Sequence, residues 1–134
     1  MDRIFDEERV RRAVENKNSG KYNCAQSVAC AFADVAHVDE EVFYRLAGAY
    51  GTGMGCLEGT CGALVGAGMV LGAVSRDRLE AMKRMKAVMA SFGSKNGATV
   101  CKYLKGVETG QPLRSCAGCV ADAAELLERV IKQS

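Results

Sequence analysis

Cysteines at predicted helix starts are the residues of this sequence best suited to chemistry. Four of the seven cysteines follow, within one or two residues, a side chain of a type that commonly caps helices. These four occur in the segments Asn23-Cys24, Thr60-Cys61, Thr99-Val100-Cys101 and Ser115-Cys116. The unpaired amides and the positive dipole end of a helix start favour a thiolate over a thiol. We therefore predict a redox or metal-binding role for these cysteines rather than service as core filler.

The other three cysteines carry weaker signals. Cys119 completes a CxxC motif with Cys116, and this spacing places both sulfur atoms on one face of a helix. The pair suits either a dithiol–disulfide couple, which makes Cys116 and Cys119 the candidate catalytic residues, or two ligands of one metal. Cys56 is a candidate partner for Cys61, whereas Cys30 is predicted to lie in the core.

A metal would need ligands from separate helices, because the cysteine spacing matches neither a zinc ribbon nor a plant-type iron–sulfur motif. The candidate metal ligands are Cys24, Cys61, Cys101 and Cys116. Four thiolates close together would repel one another unless a cation neutralised them. This argument favours a bound metal over thiol–disulfide exchange, and it leaves the identity of the cofactor open.

Other catalytic groups are scarce in the sequence. The glycine-rich segment 51–59 lacks the GxGxxG register and a preceding strand, so we predict a loop that turns the chain close to the cysteines. The single histidine, His37, is predicted to be a solvated residue at a helix end. Because no paired carboxylates or Ser-His-Asp set can be recognised, acid–base catalysis has no clear candidates, and whether the protein is an enzyme stays open.

The elements that must position the cysteines are predicted to be helices. Helical spacing of apolar residues runs almost throughout, and no alternating strand pattern occurs. We predict an all-α single domain, 1–134, of five to six helices packed around a central apolar, glycine-rich helix. The predicted helices span about residues 2–16, 24–36, 40–49, 61–74, 77–92 and 116–131, with a short segment at 99–105.

Specific positions follow from the same pattern. The predicted helix caps are Asn23, Asp39, Thr60 and Ser115. The predicted buried stripe of the fifth helix is Leu79, Met82, Met85, Met89 and Phe92. Phe5, Val10, Ala13 and Val14 are predicted to face inward from the first helix. Gly62, Gly66, Gly68 and Gly72 are predicted to allow close packing of another backbone.

The motif that begins at Cys61 resembles that of a known family. Its residues are Cys61-Gly62-Ala63-Leu64-Val65-Gly66, accompanied by Tyr22-Asn23-Cys24-Ala25-Gln26, Gly51-Thr52-Gly53-Met54-Gly55, Cys101 and Cys116. Together they resemble the C-GCAxxG-C-C family of redox-active proteins over about residues 20–131. The resemblance implies that Cys24, Cys61, Cys101 and Cys116 are the four characteristic cysteines of the family. It also implies a redox role, with an iron–sulfur cluster as a candidate cofactor.

The composition and charge of the chain restrict the classes of partner it is expected to bind. The chain has 134 residues, with 18 Lys and Arg against 16 Asp and Glu, a net charge of +2 that falls far short of the basic excess typical of nucleic-acid binding. The N-terminal segment lacks the apolar region of a secretory signal, and no apolar run reaches the roughly 20 residues of a membrane span. We expect a cytoplasmic protein with no membrane insertion and no nucleic-acid partner. A redox partner protein and a homo-oligomer are both left open.

Two hypotheses of different classes remain. The first is a redox-active protein whose cysteine site binds a metal or an iron–sulfur cluster, or exchanges thiols and disulfides. The second is a non-enzymatic helical binding or assembly module whose cysteines are structural. Thiols that react only after denaturation, together with the absence of metal, would favour the second.

Overall fold

The computed structural model of the chain describes residues 7–133, and the predicted positions before Glu7, including Phe5, lie outside them. The fold is all-α, as predicted. Its elements are α1 (Glu7–Asn18), α2 (Cys24–Ala31), α3 (Ala33–Ala36), α4 (Glu40–Leu46), α5 (Gly51–Met54), α6 (Gly62–Val74), α7 (Arg78–Asn96), α8 (Cys101–Lys105) and α9 (Cys116–Lys132). Within the described residues, the β-type pairing consists of one isolated bridge, between Thr60 and Val100.

The apolar helix α6 packs against α2, α3, α5, α7 and α9. Its side chains Leu64, Ala67, Val70 and Leu71 are fully buried. Helix α1 lies across α2 and α9 on the other side of the core. The longer helices α7 and α9 therefore both pack against α6, and the starts of α2, α6, α8 and α9 meet at one cavity.

The predicted second helix is interrupted in the structure. Phe32 leaves the helical conformation, with φ −111° and ψ 14°, and separates α2 from α3. Its ring is completely buried. The short helix α3 then ends at His37, which is exposed and left-handed, as expected for a solvated residue at a helix end.

The predicted caps Asn23 and Ser115 are confirmed, Asp39 occupies the predicted position at the start of α4, and the prediction for Thr60 is wrong. Asn23 forms a capping box with Gln26, and Ser115 accepts a hydrogen bond from the Gly118 amide. Asp39 precedes α4 without a side-chain cap bond. Thr60 does not cap α6, because its backbone pairs with Val100 and places the helix start one residue later, with Cys61 itself at the N-cap position.

The predicted buried stripe of the fifth helix is wrong in its first half. Leu79 and Met82 are 71% and 63% exposed, whereas Phe92 is fully buried. The buried residues of α7 are Val88, Phe92 and Asn96, all in its second half. The beginning of α7 lies beyond the core, so regular apolar spacing does not lead to burial there.

The glycine-rich segment contains a helical turn, α5, but its centre is not helical. Thr52 and Gly53 have φ values of 52° and 57°, in the left-handed region, and Met54 and Leu57 also have positive φ. A branched residue such as Thr rarely adopts this conformation. The prediction that this segment turns the chain is confirmed, and Thr52 is held at the edge of the site described next.

Candidate functional site

Five cysteines line one cavity at the end of the molecule where the helices begin. They are Cys24, Cys61, Cys101, Cys116 and Cys119. The cavity has a volume of about 40 Å³, which is room for an ion, a few water molecules or the end of a small ligand. The lining also includes Lys17, Asn23, Thr52, Gly62, Leu104, Lys105 and Arg114.

Helix starts bring the cysteines to this cavity. Cys24, Cys101 and Cys116 are the first residues of α2, α8 and α9, and Cys61 occupies the N-cap position of α6. Cys119 lies one turn into α9, so the CxxC spacing places both of its cysteines at the same cavity.

Two glycines let α6 approach α2 closely. A Cβ atom on Gly62 would lie 2.8 Å from the Tyr50 carbonyl oxygen and 3.2 Å from the Cys24 Cβ. A Cβ atom on Gly66 would lie only 2.5 Å from the Ala25 carbonyl oxygen. The predicted role in backbone packing is therefore confirmed for Gly62 and Gly66, whose contact holds Cys24 near Cys61. It is wrong for Gly68, which faces only the Met85 side chain, and for Gly72, which has nothing within 4 Å of an added Cβ.

Backbone hydrogen bonds join the segment before α6 to the start of α8. The Cys61 amide donates to the Thr99 carbonyl oxygen at 2.8 Å, and the Cys101 amide donates to the Gly59 carbonyl oxygen at 2.9 Å. Gly53 packs against Cys101 so tightly that an added Cβ would lie 2.5 Å from the Cys101 Cβ. These contacts fix Cys101 at the cavity beside Cys61.

The cavity contains two hydrogen-bonded pairs of cysteines. The Cys24 thiol donates a hydrogen bond to Cys116, and the Cys119 thiol donates one to Cys61. Each cysteine of the CxxC motif therefore pairs with a cysteine from another helix, and the two do not pair with each other. In both pairs one sulfur carries the proton and the other is favoured as the thiolate.

Cys116 is the acceptor of the more accessible pair. The hydrogen bond from Cys24 lowers the pKa of Cys116 to about 6, and the positive charges of Lys105 and Lys17 act in the same direction against the effect of burial. The same hydrogen bond, followed by burial, raises the pKa of Cys24. At neutral pH, Cys116 is a partly exposed thiolate beside a protonated thiol.

Cys61 is the acceptor of the buried pair. The hydrogen bond from Cys119 lowers the pKa of Cys61, and the backbone amides of Ala63 and Leu64 add to this effect. Cys119 is the donor, so its own pKa is raised. Burial raises the pKa of the fifth cavity cysteine, Cys101, which is favoured as a neutral thiol.

The two remaining cysteines lie away from the cavity. Cys30 is only 3% exposed, and burial raises its pKa to about 11, so the prediction that it lies in the core is confirmed. Cys56 is exposed, and its sulfur contacts the Gly53 carbonyl oxygen at 3.7 Å. The structure does not place Cys56 with Cys61 at the cavity.

A buried carboxylate supports the CxxC end of α9. Asp122 is 3% exposed and accepts hydrogen bonds from Arg114, Lys95 and Asn96. Burial acts to raise the pKa of Asp122, but these partners outweigh burial and hold the pKa below its usual range. Arg114, which also lines the cavity, is therefore held against the first turn of α9.

Metal binding by the cavity cysteines stays a prediction. Among the residues that the structure describes, no three His, Cys, Asp or Glu side chains are grouped so as to hold a metal ion. All five cysteines line one cavity, and electrostatic interactions link the two hydrogen-bonded pairs to each other. The expectation of mutual repulsion also weakens, because each thiolate receives a proton donor from its neighbour.

Several residues of the site were not predicted from the sequence. They are Lys17, Thr52, Leu104, Lys105 and Arg114. A signal was available for two of them: Lys105 lies four residues after Cys101, one helical turn away, and Arg114 directly precedes the Ser115 cap. Lys17 lies seven residues before Cys24, and Thr52 nine before Cys61, but each is on a different element from that cysteine, so helical spacing does not report their approach to the cavity.

The fold and the site define a class: an all-α protein with a cavity of paired cysteines. The chain matches the family described as “Putative redox-active protein (C_GCAxxG_C_C)” over residues 22–130, and it belongs to that family. No curated protein and no solved structure matches the chain. The described residues include no helix with the length and apolar character of a membrane span.

Proposed function

We propose that this protein is a thiol–disulfide redox protein in which Cys116 attacks a disulfide substrate and Cys24 resolves the product. The observation that carries the proposal is that Cys24 and Cys116 line the same cavity, where Cys116 is half-buried and its interaction with Cys24 favours the Cys116 thiolate. A nucleophilic thiolate with a second thiol in contact is what disulfide exchange requires.

The reaction has two steps. The Cys116 thiolate attacks one sulfur of the substrate R–S–S–R′, which forms a mixed disulfide between Cys116 and R and releases R′S⁻. The released thiolate takes the Cys24 proton and leaves as R′SH. The Cys24 thiolate then attacks the Cys116 sulfur, which forms the Cys24–Cys116 disulfide and releases RS⁻. The substrate gains two electrons, and the protein loses two.

The second pair, Cys61 and Cys119, is too buried for direct attack on an external disulfide. Cys61 and Cys119 are 5% and 3% exposed. We propose that electrons reach or leave this pair through Cys116, since Cys116 and Cys119 share the CxxC motif and the same cavity. A direct Cys116–Cys119 couple, as the sequence spacing suggests, is the alternative that disulfide mapping distinguishes.

Other predictions from the sequence are retained as proposals. The redox partner would be a protein or small thiol that reduces the Cys24–Cys116 disulfide. A cytoplasmic location fits this scheme, because a reducing compartment regenerates the dithiol. Metal binding by Cys24, Cys61, Cys101 and Cys116 stays a prediction, and elemental analysis of protein purified without oxygen or chelator tests it. Iron or zinc in stoichiometric amount would favour metal binding over thiol–disulfide exchange.

Trapping of the mixed disulfide tests the proposal. We expect Cys24→Ser protein to accumulate a mixed disulfide on Cys116 when it reacts with a small disulfide. The native protein should instead form the Cys24–Cys116 disulfide. Peptide mass spectrometry under acid quench identifies both products.

Matched controls are available in the chain. Cys30→Ser and Cys56→Ser alter a core and a surface cysteine away from the cavity and should leave both products unchanged. A mixed disulfide found on Cys56 alone, or no reaction of any cavity cysteine before denaturation, would contradict the proposal. Either result would favour a structural role for the cysteines.

A further inference from the structure

We propose that the substrate of the cysteine cavity is a small anionic disulfide, with a carboxylate a few atoms from the reacting sulfur, and that Lys17 and Lys105 bind this carboxylate. The inference rests on the proposed thiol–disulfide function and names its substrate class.

The charged side chains that line the cavity are all cationic. They are Lys17 from the last turn of α1, Lys105 from the end of α8, and Arg114 before α9. Among the described residues, no Asp or Glu lines the cavity. Arg114 forms an ion pair with Asp122, which partly neutralises its charge and weakens its attraction for an anionic ligand.

The two lysines are available to a ligand. Within the described part of the chain, neither Lys17 nor Lys105 forms an ion pair with a carboxylate, whereas Lys102, close by on α8, pairs with Glu58 at 3.0 Å. Lys105 is exposed, and Lys17 is half-buried. Two cations from separate elements therefore meet at one opening, with no acidic partner among the described residues.

A polar side chain adds to these cations. Thr52 lines the cavity and is held in the left-handed conformation, with φ 52°. In the described residues its hydroxyl makes no hydrogen bond, so it is available to a carboxylate. The amide of the neighbouring Asn23 is already occupied by the Ala47 and Gly48 carbonyl oxygens.

The size of the cavity restricts the substrate. A volume of about 40 Å³ admits the sulfur end of a small molecule but not a folded protein surface. The acid group must then stay at the opening, where the lysines lie. This geometry selects a disulfide whose charge is close to the sulfur.

The lysines also favour the Cys116 thiolate, so the experiment must separate this effect from attraction of the substrate. Three disulfides of similar size serve as probes: 3,3′-dithiodipropionate is anionic, bis(2-hydroxyethyl) disulfide is neutral, and cystamine is cationic. The second-order rate constant of each with the reduced protein is measured at a pH where Cys116 is fully ionised. The ratio of anionic to cationic rates cancels any change in the nucleophile.

We expect the anionic disulfide to react about 10 to 100 times faster than the cationic one at low ionic strength. High salt should reduce this ratio, because screening weakens the attraction. The double variant Lys17→Gln, Lys105→Gln should lower the ratio by about tenfold. The control Lys86→Gln, which changes an exposed lysine on α7, should leave the ratio unchanged.

Three contrary results have different meanings. Equal rates for the three probes, with formation of the Cys24–Cys116 disulfide, would overturn the anionic substrate class and leave the proposed function standing. No reaction with any of the three would overturn the proposed function itself. A ratio that persists in the double variant would remove Lys17 and Lys105 from substrate binding.

Discussion

The two cysteine pairs of the cavity are built alike but are stabilised differently. Each joins a cysteine at the start of one helix to a cysteine of the CxxC motif on α9. In the Cys24–Cys116 pair the CxxC cysteine is the favoured thiolate, and external lysines assist it. In the Cys61–Cys119 pair the helix-start cysteine is the favoured thiolate, and backbone amides of α6 assist it.

This difference shows that thiolate formation and access are independent properties of a cysteine. The Cys61 thiolate is held by amides inside the protein, where an external molecule cannot reach it. The Cys116 thiolate is favoured by the Cys24 hydrogen bond and by lysine side chains at the cavity. A lowered pKa therefore marks both cysteines, and only the exposure identifies Cys116 as the one that meets the substrate.

The largest expected effect comes from removing the accessible thiolate. Cys116→Ser should lower the single-turnover rate of disulfide reduction at least about 1000-fold, because a serine hydroxyl does not supply a thiolate. Cys61→Ser should retain the first two-electron transfer within about threefold. Stopped-flow reduction of 3,3′-dithiodipropionate measures both rates. Equal losses in the two variants would show that the pairs act as one unit.

The next effect concerns the helix contact that holds the pairs side by side. Gly66→Ala places a Cβ atom 2.5 Å from the Ala25 carbonyl oxygen, so α2 and α6 must separate. We expect a loss of about 2–3 kcal/mol in the free energy of unfolding. Gly72→Ala is the matched control in the same helix, since nothing lies within 4 Å of its added Cβ.

Because alanine favours a helix interior, Gly72→Ala should stabilise the protein by about 0.5–1 kcal/mol. Urea unfolding of the reduced proteins measures both changes. Equal stabilities for the Gly66 and Gly72 variants would contradict a close α2–α6 contact at the cavity.

The smallest effect distinguishes the two ways of holding a thiolate. Cys24→Ala removes the hydrogen bond that lowers the pKa of Cys116 to about 6, so this pKa should rise by about one unit or more toward the ordinary value. The variant should therefore lose thiolate, and hence reactivity, between about pH 6 and 8. Cys119→Ala should raise the pKa of Cys61 less, because the Ala63 and Leu64 amides remain.

The pH dependence of iodoacetamide alkylation, read residue by residue by mass spectrometry, gives both midpoints. Cys61 should be alkylated slowly at every pH because it is buried. Its pH midpoint is therefore measured with longer alkylation times. An unchanged Cys116 midpoint in Cys24→Ala would assign its thiolate to the lysines alone.

Local patterns predicted most of the helices, and long-range packing accounts for the errors. The caps at Asn23 and Ser115 depend on neighbours within three residues, so the sequence identifies them. The interruption at Phe32 and the pairing of Thr60 with Val100 depend on distant contacts that no local pattern reports. The exposure of Leu79 likewise depends on where the core ends.

The site was predictable in its residue types but not in its pairing. Helix-start placement selected Cys24, Cys61, Cys101 and Cys116, and all four line the cavity. The hydrogen bonds between cysteines of different helices depend on the crossing of α2, α6 and α9, which spacing along the chain does not encode. Lys17 reaches the cavity from α1 for the same reason.

The bridge between Thr60 and Val100 has a consequence for the order of folding. It closes a loop that contains the whole of α6 and α7, and it brings Cys61 beside Cys101. Contacts that close long loops bear a large entropic cost and tend to form late. We therefore expect the cavity to assemble after its supporting helices. In a newly made chain the thiols stay apart until the surrounding core packs and determines which of them come into contact.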